Sequence, residues 1–335
     1  MSDTSKRHKS SKIPKLDDYK PIIDAAKNGK LVLFVGNGVS RLLGYPSWDE
    51  MAERAMLNLF DDKKGINHID FLEKELLSKL PPKKRLSIIH DICKFKDVNL
   101  DYRQIIIPDE RKSKKIYEML YSMKTPLVTT NYDECLGRLA NVATSDIAYS
   151  NEPTVETSAK TISLKKAFYE ASDLTDAKLD PGVVIHIHGS LKSQENMVVS
   201  TRQYIENYKR DGFVDKFLEG LFSDRVILFI GYGIEEEEIF EYIVGRGQKG
   251  KDSQSSKEAK HYCLYPTLSS HSAIFQHLKN YYNNHCNITL ISYEVDVKGY
   301  DVLEEIIHEW AKEIGAVARR KNYIDEQGDI KDLLS

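Results

Sequence analysis

The chain has 335 residues, 41% of them hydrophobic and 30% charged, a length that suits about two domains or one large α/β domain with an elaboration. Lys and Arg number 48 against 51 Asp and Glu, a net charge of −3, which argues against a protein that coats nucleic acid, because phosphate binding needs clustered positive charge. The longest apolar runs are strand-sized, far short of the roughly 20 residues that cross a bilayer, and no apolar stretch follows the basic N-terminal residues as in a secretory signal, so the composition reads as a soluble, cytoplasmic protein with no membrane partner.

Residues 1–16 are rich in Ser and Lys and lack periodicity, which predicts a disordered basic tail; whether it touches DNA is left open. A short helix over Pro21–Asn28 leads through Gly29 into the apolar run Leu31–Val35. A wholly apolar run of this length predicts a strand buried on both faces, as in a parallel sheet. Further runs of this kind are Pro126–Thr130, Val183–Ile187, Met197–Val199, Val226–Ile230, His261–Tyr265 and Ile288–Tyr293. Helical patterns over Ser47–Phe60, Glu235–Val244 and Val302–Ala316 alternate with them. This rhythm predicts an α/β fold, a Rossmann-like, mostly parallel sheet flanked by helices. From about residue 49 to 124 the rhythm breaks into charged helical sequence, read as a smaller helical insertion lobe. The organisation expected is a tail (1–16), a ligand-binding α/β domain (17–300) and C-terminal helices (301–335). Residues 246–260 are polar and Gly/Ser-rich, as in a mobile loop. The four cysteines, at 93, 135, 263 and 286, include no C-x-x-C pair, so core-filling thiols are expected and a zinc site is not.

Four places could carry chemistry. Gly36-Asn37-Gly38-Val39-Ser40 is a strand-to-helix turn whose glycines allow close backbone approach and whose amides could face a phosphate; a purely structural turn is the alternative. The dinucleotide fingerprint wants a third Gly where Arg41 stands and an acidic strand end about twenty residues on, so a hydride-transferring dehydrogenase is disfavoured. Thr129-Thr130-Asn131-Tyr132-Asp133 follows a buried strand at its carboxyl end, where α/β sheets bind ligands, although Asn131 or Asp133 could instead cap the next helix. In Val183–Ser190, alternation puts His186 and His188 on one face. His188, before Gly189, suits an exposed general base titrating near neutrality, and His186 a buried structural residue; a metal-binding H-x-H lacks further ligands. Gly231-Tyr232-Gly233 is another glycine turn at a strand end, and Glu235–Glu238 complement the following helix dipole.

Together these motifs resemble the sirtuin (silent-information-regulator) family in its divergent bacterial antiphage-defence branch. The sirtuin Gly-Ala-Gly-Ile-Ser loop is similar to Gly36–Ser40, its Gly-Ile-Pro-Asp-Phe element to Gly44-Tyr45-Pro46-Ser47-Trp48, and its Thr-Gln-Asn-Ile-Asp motif to Thr129–Asp133. Its His-Gly corresponds to His188-Gly189 and its late Gly-Thr-Ser to Gly231-Tyr232-Gly233, in the same order across residues 30–295. The resemblance implies NAD+ as substrate, with Asn131 and His188 catalytic, Asn131 orienting the ribose hydroxyls or water and His188 acting as base. It further implies cofactor contacts from Gly36, Asn37, Gly38, Ser40, Trp48, Thr130, Asp133, Gly231 and Tyr232. The four-cysteine zinc module of deacetylating sirtuins has no counterpart here, so the resemblance points to an NAD+ glycohydrolase that depletes NAD+ in abortive infection, without zinc. A deacylase, an ADP-ribosyltransferase and a non-catalytic NAD+/ADP-ribose sensor are the alternatives. Relatives of this type imply a homo-oligomer and a HerA-type ring ATPase as a possible partner.

Overall fold

A computed structural model describes residues 13–59, 71–108, 115–136, 173–174, 179–233, 239, 243 and 261–334. Its described residues contain a six-stranded sheet in the order β3-β2-β1-β4-β5-β6, parallel at every pairing. The strands are β1 (Leu31–Val35), β2 (Leu127–Thr129), β3 (Val184–His186), β4 (Val226–Ile230), β5 (His261–Thr267) and β6 (Ile288–Glu294). The fold is therefore a Rossmann-like α/β sheet, as the alternating apolar runs imply.

The β1 sequence shows why both faces must be covered. All five of its residues are buried. Leu31, Leu33 and Val35 join one core cluster, while Val32 and Phe34 join the cluster on the opposite face, the period-2 division of a pleated strand. Five helices pack their apolar residues into the first cluster: α1 (Lys20–Lys27), α3 (Trp48–Leu59), α5 (Pro82–Lys96), α7 (Lys115–Ser122) and α11 (Val302–Leu334). The second cluster is covered by α9 (Phe213–Asp224) and α10 (Ser272–Cys286). The shorter helices are α2 (Asn37–Leu42), α4 (Phe71–Ser78), α6 (Tyr102–Ile105) and α8 (Thr201–Asn207).

The register levels the carboxyl ends of four strands. Val35 stands opposite both Thr129 and Ile230, and Thr129 opposite His186. The segments after residues 35, 129, 186 and 230 thus leave the sheet in one row. The chain reverses its winding between β1 and β4, and the crevice above such a switch point is where open α/β sheets bind ligands.

Three expectations need correction. Met197–Val199 is no strand: it follows a 3₁₀ turn at Gln194–Asn196 and lies past the end of β3, where its backbone is met piecemeal. The Val198 N–H donates to the His188 carbonyl and the Val198 carbonyl accepts from Tyr132 Oη. The run is apolar because it is buried, and burial alone does not make a ladder. Residues 13–16, assigned to the tail, pack instead: Leu16 is buried, Ile13 lies against the same core, and the Pro14 carbonyl accepts from Trp310 Nε1 at 2.9 Å. The C-terminal helices expected over 301–335 are one continuous helix, Val302–Leu334, in the described residues. Residues 1–12, the loop 246–260 and most of Glu235–Val244 lie outside the described residues.

Between β1 and β2 the described residues form helices only. The second of these, α3, starts where the sequence dictates: Ser47 Oγ accepts from the Glu50 N–H at 3.2 Å and Glu50 Oε2 accepts from the Ser47 N–H at 2.7 Å, a capping box. Buried Arg85 on α5 reaches Asp49 Oδ1 at 2.8 Å and Glu53 Oε2 at 3.3 Å on α3, fixing the two helices against each other. No helix among the described residues is long and apolar enough to cross a membrane.

Candidate functional site

A cleft opens above the carboxyl ends of β1 and β2. Six of the residues expected from the sequence line it: Asn37, Ser40, Trp48, Thr130, Asn131 and Asp133. Tyr45, Pro46, Met51, Ile106 and Tyr132 complete the wall, giving the mixed surface of a small-molecule site, apolar and aromatic with a few convergent polar groups. Trp48 meets the Tyr132 ring edge-on at 5.5 Å.

The polar end is a buried hydrogen-bonded chain. Thr129 Oγ1 donates to the Val35 carbonyl at 2.8 Å and accepts from the Asn131 N–H at 3.0 Å, which turns the backbone out of β2 and lifts Asn131 over β1. Asn131 Nδ2 then donates to the Gly36 carbonyl at 3.0 Å and to Ser40 Oγ at 2.7 Å. Ser40 Oγ donates to Asp133 Oδ2 at 2.7 Å. Tyr117 Oη donates to the same carboxylate, 3.0 Å from both oxygens, and the Cys135 N–H adds a third donor at 3.2 Å. The Cys135 N–H bond is the contact expected of a cap at Asp133, and the same side chain is part of the cleft wall.

This chain of bonds fixes the orientation of Asn131. The Gly36 carbonyl can only accept, so Nδ2 must face it, and both Nδ2 hydrogens are then used. Asn131 Oδ1 remains buried with no partner in the protein. A buried acceptor without a donor costs about 1–3 kcal/mol, and the residue that carries it is one of those lining the cleft. Burial raises the Asp133 carboxyl above its ordinary value, opposed by the hydrogen bonds from Ser40 and Tyr117. Burial, and then the Asp133 charge, push the Tyr117 phenol well up.

The glycine turns meet each other. Gly231 has φ +62°, and a Cβ there would stand 2.5 Å from the Val39 nitrogen; a Cβ at Gly36 or Gly38 would stand 2.7 Å from the Gly231 carbonyl oxygen. The Gly36 N–H donates to the Ile230 carbonyl and the Gly38 N–H to the Gly231 carbonyl, at 2.9 and 2.7 Å. These two amides therefore face β4 and its following turn, a correction to the expectation that they face an anion. The Tyr232 ring packs at 5.5 Å against both Phe34 and Phe229, in the core cluster on the opposite face of the sheet; it is not among the cleft's lining residues.

His188 also departs from expectation. It is buried, 2% exposed, with Nε2 2.6 Å from Tyr208 Oη, its ring edge-on to Tyr204 at 5.0 Å, and Nδ1 unpartnered. Burial, with Lys83 adding repulsion, lowers its pKa to about 3, so it is neutral at neutral pH and no exposed base. It is not among the lining residues of the cleft. The chain leaves the sheet after His186, so strand alternation no longer governs where His188 points. His186 Nδ1 lies 3.0 Å from the Asn131 carbonyl oxygen, which makes that nitrogen the protonated one, and burial brings its pKa to about 4. Among the described residues no three His, Cys, Asp or Glu converge as metal ligands; none of the four cysteines is in a disulfide, and three of them are buried.

Sequence reasoning missed Tyr117, which sits in an amphipathic helix and shows only as one more buried aromatic. It also passed over Met51, Ile106 and Tyr132 as lining residues.

Comparison with known proteins agrees with this geometry. A SIR2-like domain family matches residues 125–291, a span that holds Asn131, Asp133, His188 and Gly231 and leaves the Gly36–Ser40 turn outside. The chain is 22% identical over 227 residues to Defense-associated sirtuin 2 of Bacillus subtilis, an alignment covering 66% of this chain and 19% of that protein. It thus spans a small part of that relative's length. By the family match, residues 125–291 of the chain are similar to a SIR2-like domain, and they hold the second, third, fourth and fifth strands of the parallel sheet.

Proposed function

We propose that the chain is an NAD+ glycohydrolase, converting NAD+ and water to nicotinamide, ADP-ribose and a proton. The observation that carries this reading is Asn131 Oδ1: a buried acceptor at the cleft, oriented by two donated hydrogen bonds and left without a partner. It suits a ribose hydroxyl or the attacking water. The bond from the anomeric carbon to the nicotinamide nitrogen breaks with its electron pair going to the ring, which leaves neutral, so no general acid is required. The water oxygen bonds to the anomeric carbon and gives up a proton. Asn131 orients, Ser40 and Asp133 hold Asn131, and the Asp133 carboxylate in the cleft wall would favour positive charge developing on a ribose bound there. Trp48, Tyr132 and Ile106 form the apolar wall that limits stray water.

His188 is proposed as the second catalytic group, a neutral base across the physiological range; to serve the cleft its Nε2 leaves Tyr208. Contacts from Gly36, Gly38, Gly231 and Tyr232 to the diphosphate side likewise need the Gly38–Gly231 hydrogen bond to open. Incubating NAD+ with the purified chain and separating the products tests the reaction. Equal amounts of nicotinamide and ADP-ribose, formed without any acylated peptide, are expected; products that appear only with an acyl-lysine peptide would replace hydrolysis by deacylation.

One observation favours a second reading. Because His188 lies away from the cleft, tied to Tyr208, the site would also serve a module that binds NAD+ or ADP-ribose without turnover. Tight NAD+ binding with no product would establish it.

The name of the Bacillus subtilis relative supports a place in antiphage defence, where depletion of the cytoplasmic NAD+ pool would arrest an infected cell. A homo-oligomer and a HerA-type ring ATPase partner belong to the same proposal. Loss of NAD+ in infected cells carrying the chain, and co-elution with such an ATPase, are the expected results.

A further inference from the structure

Asp133 is buried, 2% exposed, and a carboxylate taken out of water keeps its charge only through its donors. One of these comes from outside the strand-end segments. Tyr117, on α7, is fully buried, and its hydroxyl is 3.0 Å from each Asp133 oxygen and 3.0 Å from Ser40 Oγ.

The direction of the bonds that Ser40 and Tyr117 make to Asp133 depends on that carboxylate being ionised. An ionised Asp133 only accepts, so the single Ser40 hydrogen points to it and the Ser40 lone pairs stay open to Asn131 Nδ2. A protonated Asp133 would itself donate. Ser40 would then accept from Asp133 and be free to turn its hydrogen elsewhere, which leaves Asn131 Nδ2 a single, less firmly oriented lone pair beside its bond to the Gly36 carbonyl.

We infer that Tyr117 is a positioning residue for the proposed NAD+ cleavage, holding Asp133 in its accepting form and, through Ser40, holding Asn131 Oδ1 towards the cleft. This rests on the NAD+ reading above and extends it to a helix outside the family match. Tyr117 touches no substrate; it is not among the cleft's lining residues. The titratable groups around Asp133 are Tyr117 from α7, Tyr45 from the connection between α2 and α3, Glu134 and Cys135 of its own segment, and His186 from β3 beside the Asn131 carbonyl.

Tyr117→Phe removes the hydroxyl and keeps the ring. With one donor fewer, Asp133 protonates at higher pH. The full chain should therefore lose kcat/KM most at the acid end of its pH profile, by about tenfold or more, the worth of a hydrogen bond to a charged group, and the deficit should shrink as pH rises. A general loosening of the fold would lower activity at every pH alike. In an Asp133→Asn background the same change should cost less than about twofold, because the group through which Tyr117 acts has lost its charge. A Tyr117→Phe chain with a wild-type rate and pH profile, or a deficit independent of pH and equally large in the Asp133→Asn background, overturns the role of Tyr117 and leaves the NAD+ reading standing. A wild-type chain that neither binds nor cleaves NAD+ overturns both.

Discussion

Ser40 is the hub of the buried chain of bonds, and Ser40→Ala tests whether that chain holds as drawn. The substitution removes an acceptor 2.7 Å from Asn131 Nδ2 and a donor 2.7 Å from Asp133 Oδ2, at a residue 2% exposed. A hydrogen bond to a charged group contributes about 1.5–3 kcal/mol and an orphaned buried donor costs about 1–3 kcal/mol, so a loss of about 3–5 kcal/mol is expected. Ser200→Ala is the control. Ser200 accepts from the Gln203 N–H in the capping box of α8, and losing an N-cap costs about 0.5–2 kcal/mol. Urea unfolding of the two variants, with the slope checked for constancy, gives the comparison. A Ser40→Ala chain no less stable than Ser200→Ala would refute the network.

Three further outcomes follow from the packing. His186, His188 and His261 have pKa values lowered by burial to about 4, 3 and 4 from 6.5. The unfolded chain therefore binds three more protons than the folded one near pH 5, and stability should fall as pH falls below about 6.5, by about 4 kcal/mol per pH unit from these groups. The raised Asp133 carboxyl offsets up to one of those protons at lower pH. A urea midpoint unchanged between pH 7 and 5 would contradict their burial. Gly38→Ala would place a Cβ 2.7 Å from the Gly231 carbonyl oxygen, backbone against backbone, and should destabilise by about 1–3 kcal/mol. Gly220→Ala, inside α9 with open space at its Cβ, should instead stabilise by about 0.5–1 kcal/mol; the two shifts having the same sign would contradict this account of the glycines.

What could be read from the sequence follows from what is local. Leu31–Val35 and Val226–Ile230 are apolar at every position, and a strand covered on both faces needs nothing else, so their places in a parallel sheet were legible. The Thr-Thr-Asn-Tyr-Asp segment was legible as a strand-end site because its polar residues follow such a run directly. Three features depended on tertiary partners. Tyr117 gains its meaning from Asp133, sixteen residues away along the chain, and nothing in its own helix marks it. The Gly38 amide was expected to face a ligand, but Gly231, far along the chain, supplies a carbonyl that takes it. His188 follows an alternating strand pattern, yet β3 ends two residues earlier, and Tyr204 and Tyr208 enclose its ring.

The most direct test of the site is the rate of nicotinamide release from NAD+ by the wild-type chain and by Asn131→Ala, with unfolding measured for both. The geometry predicts release by the wild type and a loss of at least about 100-fold in the variant, the scale of removing one oriented catalytic contact, with the fold retained. Equal rates in the two proteins would contradict the assignment of Asn131 Oδ1 as the group that orients substrate or water in the cleft.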